Sequence, residues 1–361
     1  MMNLTRFRLM VLLLLSWPVF AAEPVDSGVL LGKFPAIRWM DNQRVMFLAE
    51  SGQTCSRSEK PDSYKQPLNR IAIFDSQTRQ LTWYGDVGVN GLCYADGNIG
   101  YARRLVSNGL CPKDEWVHLR GRFGEEKVEQ PPSSLDIYSC LPVTEVQSSP
   151  EWLKTARKSG RMFAPLKPEH GWAEVAFARR PDGSLDKIGG FHPIRVYPAG
   201  NSEQGAPVVG LENVDLSPIW HYSRFKNAYL LEEWVRGTPR TVGLVRSWWL
   251  YPNGRVEPAL HYDRALRKGD TGWEENVIVP TRAGYLQVHE RSFSRLPFAN
   301  AKTGLYLFRP DGSFDKIAGG EIEWTGLTVS PDGCRVAFGT DERYAEGREQ
   351  YTLKVIDVCR K

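Results

Sequence analysis

One turn recurs along this chain between the same kind of β-rich flanks, and it restricts the fold more than any other feature. Leu327-Thr328-Val329-Ser330 runs into Pro331-Asp332-Gly333 and leaves through Cys334 to Phe338. Pro presets φ for the turn and Gly accepts φ > 0, so each copy reads as a hairpin. Similar hairpins are Ile37–Met40 with Arg44–Leu48, Leu92–Ala95 with Asn98–Tyr101, and a looser Val277–Val279 with Tyr285–Val288. A second type alternates with it. Ala178–Arg180, Pro181-Asp182-Gly183, Ser184–Ile188 is nearly repeated by Leu307–Arg309, Pro310-Asp311-Gly312, Ser313–Ile317. Related copies are Ile71–Phe74 with Gln80–Tyr84, Trp116–Leu119 with Lys127–Glu129, and Trp248–Tyr251 with Arg255–Glu257.

Third strands then start near residues 70, 116, 173, 244, 304 and 352, which makes six units. Units of roughly 45 to 70 residues have the size of a four-stranded propeller blade. The expected fold is all-β, a six-bladed β-propeller. A β-sandwich is the alternative, but it gives no reason for two alternating hairpin types at blade spacing. The last unit, ending in Tyr351–Val358, lacks an outer strand, and Gly28–Gly32 precedes the first unit unpaired. The amino-terminal strand is therefore expected to complete the last blade and close the ring.

These repeats resemble those of the TolB-like, WD-related propeller family, whose blades carry a Ser-Pro-Asp-Gly turn, a strand, a loop and an aliphatic strand ending in Asp. Ser330–Gly333, Val336–Phe338 and Leu353–Asp357 fit that pattern closely, and the third and fourth units depart from it most. The resemblance implies a propeller. Strands begin almost directly after the leader, so the amino-terminal α/β domain of TolB is not expected, and no role in the Tol system is inferred.

The leader sets the compartment. Met1–Arg8 is short and basic, Leu9–Phe20 is apolar, and Val19-Phe20-Ala21 offers small residues for cleavage. A run of about a dozen residues is too short to span a bilayer, so residues 1–21 read as a signal peptide and 22–361 as a single propeller domain with no transmembrane anchor. Export to a bacterial periplasm, or secretion, is expected. Lys and Arg number 46 against 42 acids, a net +4, and the leader holds Arg6 and Arg8, leaving +2 spread along the mature chain. No basic patch calls for nucleic acid.

All six cysteines lie beyond the leader, an even number in an oxidising compartment, so disulfides are expected. Cys334 opens the second strand of the last unit and Cys359 ends its antiparallel third strand, so these two should pair. For Cys55, Cys93, Cys111 and Cys140 three pairings are open. Cys55–Cys93 with Cys111–Cys140 is preferred because it repeats one blade-to-blade link twice.

In a propeller the turns between first and second and between third and fourth strands share one face, and here most are tight. The other face receives the long loops: Ser51–Asn69, Arg103–Glu115, Gly189–Ala206, Glu233–Thr241, His261–Glu275, Arg291–Thr303 and Thr340–Gln350. Long loops on a rigid scaffold commonly carry binding. Ser149 can cap and Pro150 open a short helical insert near 149–159.

Aromatic, basic and imidazole side chains on those loops are the candidate binding residues: His192, Arg195, Tyr197, His261, Tyr262, Arg264, Arg267 and Trp273, with His221 added. Such residues also serve as inter-blade packing or a solvated face. No GxSxG, HExxH, GxxxxGK[ST] or EF-hand pattern occurs, so no catalytic residue, metal or cofactor is assigned. The leading reading is a non-catalytic exported protein that binds a protein or cell-envelope component through the long-loop face. The alternatives are a periplasmic hydrolase or lyase using His192, His221 and His261 in the central funnel, or a neutraliser of a toxic envelope partner. Fold alone separates none of these.

Overall fold

The short turns do close antiparallel hairpins, and the hairpins assemble into a ring. The structure is a computed structural model, described for residues 23–32, 35–56, 65–106, 109–111, 116–129, 150–167, 169–177, 191–200, 203–212, 214, 216, 220–233, 243–264, 279–289, 304–309, 313–341 and 350–360. Strand β1 (Val25–Leu30) comes first and is used last. Blade one holds β2 (Arg38–Trp39), β3 (Arg44–Ser56), β4 (Lys65–Asp75) and β5 (Gln80–Tyr84). Blade two holds β6 (Val89–Ala95), β7 (Asn98–Arg104), β8 (Trp116–Arg122) and β9 (Lys127–Glu129).

A helix, α1 (Glu151–Lys158), precedes blade three, which holds β10 (Met162–Pro165), β11 (Trp172–Phe177), β12 (Phe191–Tyr197) and β13 (Ala206–Pro207). Blade four holds β14 (His221–Ser223), β15 (Ala228–Glu232), β16 (Gly243–Leu250) and β17 (Val256–Arg264). Blade five holds β18 (Val279–Pro280), β19 (Tyr285–His289), β20 (Gly304–Phe308) and β21 (Phe314–Gly319). Blade six takes β22 (Glu321–Val329), β23 (Arg335–Asp341) and β24 (Thr352–Asp357), and β1 pairs with β24 as its outer strand. Six four-stranded antiparallel sheets closed in this way make a six-bladed β-propeller.

Closure follows the expected scheme, with the strand beginning three residues earlier, at Val25. Val25 pairs with Val355 and Leu30 with Thr352. Leu31 N then donates to Tyr351 O (2.8 Å) and Gly32 N to Leu48 O (3.0 Å), carrying the chain from blade six to blade one. Leu31 packs so tightly on β23 that a Cβ on Gly339 would lie 2.6 Å from its Cδ1. A side chain at 339 would require Leu31 to shift.

Second strands are sandwiched between neighbouring blades, so both of their faces are apolar. Along β3, Val45, Phe47 and Ala49 pack with Ala337, Leu353 and Val355 of blade six, while Met46 and Leu48 pack with Leu92, Ile99 and Tyr101 of blade two. Strand β15 divides likewise: Tyr229 and Leu231 meet blade three, Ala228 and Leu230 meet Tyr285 of blade five. Period two thus assigns alternate side chains to alternate seams. Blades five and six share Leu286, Leu307, Val336 and Phe338. Among the described residues no buried apolar cluster joins blades two and three. There α1 lays Leu153 and Trp152 on Trp172, Tyr197 and Phe163 of blade three.

Four expectations are corrected. Residues 172–177 form the second strand of blade three, not its third, because they pair with both β10 and β12. The Pro181-Asp182-Gly183 copy, which lies outside the described residues, therefore follows a second strand, whereas its near twin at 310–312 follows a third. Consequently Gly189–Ala206 is not a loop: 191–197 is the central strand β12, paired with β11 on one side and with β13 on the other. Similarly, β17 runs to Arg264, so His261–Arg264 belong to an outer strand. Finally, Pro150 occupies the N-cap of α1 with φ −50° and ψ 148°, accepting through its carbonyl from Leu153 N and Lys154 N, instead of opening the first turn. The expected leader, residues 1–21, lies outside the described residues. No described helix is long and apolar enough to cross a membrane.

Cys334 and Cys359 are bonded, with Cα atoms 5.1 Å apart. The bond closes a 25-residue separation, worth about 3.5 kcal/mol of unfolded-state entropy by chain statistics. Replacing both by Ser is expected to lower stability by about that amount, read from the denaturant midpoint. An unchanged midpoint would mean that the β23–β24 ladder alone fixes the closing blade.

Candidate functional site

Described residues line a concavity at each end of the ring. The first is the central channel near the short turns, about 730 Å³ in volume. Innermost strands supply its wall: Arg38 and Trp39 from β2, Tyr94 from β6, His221 to Ser223 from β14 and Thr328 to Ser330 at the end of β22, with Lys167 following β10. The β14–β15 turn crosses its mouth. Arg224 reaches Asp96 of blade two at 2.6 Å, and Phe225 lies against Gly333 of blade six, where a Cβ would come within 2.6 Å of the ring. Gly333 also has φ +80°, so the turn needs glycine on both counts.

Burial shapes the groups in this channel. Arg38 is held below the usual guanidinium range by desolvation, and its side chain donates to Ile37 O at 2.8 Å. His221 is likewise pushed down by burial, which favours the neutral imidazole. Lys167 sits 5.6 Å from the Tyr222 ring. Trp39 Nε1 and Ser223 Oγ are buried without partners.

The second concavity lies on the long-loop face at the seam of blades one and two. Strands β3 and β4 continue past an irregularity at 51–53, pairing Thr54 with Pro67 and Ser56 with Lys65, so their hairpin projects beyond the sheet. A disulfide joins Cys55 to Cys111, and Ser56 bridges Leu110 in parallel. This overturns the preferred Cys55–Cys93 and Cys111–Cys140 pairings: the two equivalent loops meet each other at one level of the ring. Cys93 is itself disulfide-bonded, on β6, and Cys140 lies outside the described residues. Beneath the staple, Leu68, Val87 and Val106 pack with the half-cystines. Beside it opens a groove of about 460 Å³ edged by Arg70, Arg103 and Arg104.

The sequence candidates scatter. His192, Arg195 and Tyr197 share β12. His192 is buried with Nδ1 unpartnered, and desolvation lowers its pKa against a smaller opposing effect of Glu212. Tyr197 donates to Glu174 Oε2 (2.8 Å), and Arg161 grips the same carboxylate through two bonds of 2.7 and 2.8 Å. That ion pair holds Glu174 below the usual carboxylate range. Arg195 donates to Gly205 O (3.3 Å). His261, Tyr262 and Arg264 fall on β17, and Arg267 and Trp273 lie outside the described residues.

The funnel trio is not assembled, because His221 is on the innermost strand of blade four, His261 on its outermost, and His192 on the third strand of blade three. Strands one and four of a blade stand roughly 14 Å apart. No group of His, Cys, Asp and Glu able to hold a metal occurs among the described residues. The groove arginines were missed because they meet only once blades one and two are in register. The adjacent Arg103-Arg104 at the end of a strand was the available signal.

The fold and these sites define a class, the six-bladed β-propeller with one elaborated face. No protein-family model matches the chain, and no curated protein matches it. Solved structures with similarity include TolB from Acinetobacter baumannii, with TM-score 0.34 and 12% identity, covering 89% of this chain and 65% of that one. This chain therefore spans less than two thirds of that TolB. The β-propeller domain of the trilobed protease from Pyrococcus furiosus has TM-score 0.32 and 9% identity, covering 89% and 80%. The acylaminoacyl peptidase of Pyrococcus horikoshii has TM-score 0.32 and 11% identity, covering 86% and 42%. The propeller assignment rests on the six closed sheets.

Glu174 offers a pH test. Its folded pKa is depressed, so its contribution is complete above the ordinary value of 4.5 and fades as pH falls through the folded value. Glu174→Gln is expected to destabilise the protein at pH 7 and to flatten the loss of stability below about pH 4.5, followed by denaturant titration. A pH profile parallel to that of the unmodified protein would show the pair to be neutral.

Proposed function

We propose that the protein is an exported, non-catalytic binding protein of the bacterial periplasm that recognises a protein or cell-envelope component through its long-loop face. One observation carries this reading: the β3–β4 hairpin projects from that face and is stapled by Cys55–Cys111 to the corresponding excursion of blade two. A cross-linked projection presents a preorganised surface, so ordering it on contact with a partner costs little entropy. The basic, apolar leader and the disulfides favour an oxidising compartment outside the cytoplasm.

The test uses oxidised mature protein, residue 22 onward, incubated with envelope extract, crosslinked and read by mass spectrometry. One partner at near-equal stoichiometry is expected. Its retention should fall on charge reversal at Arg264, the last residue of β17, and at Arg267, and should survive Arg255→Glu in the β16–β17 turn of the opposite face. Retention of nothing by folded protein would reject the reading, as would equal loss in all variants.

A further inference from the structure

The groove between blades one and two has a chemistry of its own, and its assignment rests on the long-loop-face reading above. Three guanidinium groups line it, and each is engaged by neighbouring groups. Arg70 lies 5.8 Å from the Trp83 ring and donates through Nε to Gly85 O at 2.7 Å. Arg104 stacks at 4.6 Å on Trp116 and donates to Gln66 Oε1 at 2.9 Å, while its Nε is buried without a partner. Arg103 contacts Asp86, the one carboxylate among the described residues lining the groove. Among those residues three cations face one anion, a net positive charge.

The floor beneath them is rigid. Gly88 N donates to Asn69 O (2.8 Å) and Arg104 N to Gly88 O (2.9 Å), so the backbones of both blades are tied directly under the arginines. Stacking and hydrogen bonding fix the planar forks before any ligand arrives, which reduces the entropy lost on binding. The remaining N–H groups suit oxygen pairs of carboxylate geometry. The groove is also not purely polar. Leu105 is 42% exposed at its rim, and Val87 and Val106 form part of its wall. A volume of about 460 Å³ is within the range of sites that hold an extended ligand, and is far larger than a single oxyanion needs.

We propose that this groove binds an acidic peptide segment of the partner protein, with carboxylates on Arg70, Arg103 and Arg104 and an apolar side chain against Leu105 and Val87. Charge complementarity and the mixed wall argue for this occupant over a bare anion or a lipid surface. Binding should weaken steeply with salt, as charge-led recognition does at an exposed site.

The test measures binding of a short labelled Glu/Leu peptide to the full mature, oxidised protein by fluorescence anisotropy. Its Lys/Leu counterpart, inorganic phosphate, and vesicles with and without anionic lipid are the comparison arms. The acidic peptide is expected to bind, and Arg103→Gln or Arg104→Gln to weaken it tenfold or more with Arg255→Gln unchanged. Arg70→Lys keeps charge while losing the fork and should also weaken binding, which guards against a variant that fails to fold. Three results would overturn the proposal: no peptide binding, binding insensitive to the three arginines, or phosphate or anionic vesicles competing as well as the peptide. An envelope partner still captured by the Arg103 and Arg104 variants would reject this groove while keeping the long-loop-face reading. Loss of all capture by the unmodified protein would reject that reading itself.

Discussion

The pairing of β1 with β24 is the interaction on which everything else rests. A propeller blade has two neighbours only in a closed ring, and a blade missing one neighbour exposes an entire apolar face. Here the chain's own beginning supplies the outer strand of its final blade, then passes through Leu31 into the core shared by blades six and one. That core contains Phe47, Phe74 and Val355, which no local element could bury alone. The Cys334–Cys359 bond sits at the far end of the same blade, where Val358 N also donates to Cys334 O, so both ends of the closing sheet are tied.

Closure also organises the faces. Because second strands divide their side chains between two seams, the seams hold the ring rigid and leave the connections free to vary. The short turns knit across the channel through Arg224–Asp96, Phe225 on Gly333, and Asp332 N to Asn42 Oδ1. The opposite face is elaborated by a stapled hairpin and a fixed arginine groove. The seam between blades two and three is built differently, with α1 laid against blade three and the Arg161–Glu174–Tyr197 cluster in place of a shared apolar core among the described residues. One ring thus offers a knitted side and a presenting side.

Much of this was legible in the chain because it depends on local chemistry. Pro-Asp-Gly and Asp-Gly turns mark hairpins wherever they fall, and an unpaired first strand beside a last blade one strand short requires closure. Cys334 and Cys359 flank adjacent antiparallel strands, so their pairing also follows from neighbouring residues. Blade three was misread because residues 178–188 copy 307–317 almost residue for residue, although the strand before the first copy, β11, is the second of its blade and the strand before the other, β20, is the third. A turn motif specifies that the chain reverses, not which strands it joins. Cys55–Cys111 and the arginine groove were hidden for a related reason: each depends on the heights at which loops from two blades meet.

The most direct test is amide hydrogen exchange on the protein from residue 22 onward, with and without residues 23–31. If closure by β1 holds the ring, the truncated protein should exchange faster by orders of magnitude in β23, β24 and β3, and the stapled hairpin at 51–56 should lose protection with them. Unchanged protection in β24 and β3 after truncation would show that the ring stands without its first strand, and would contradict the account.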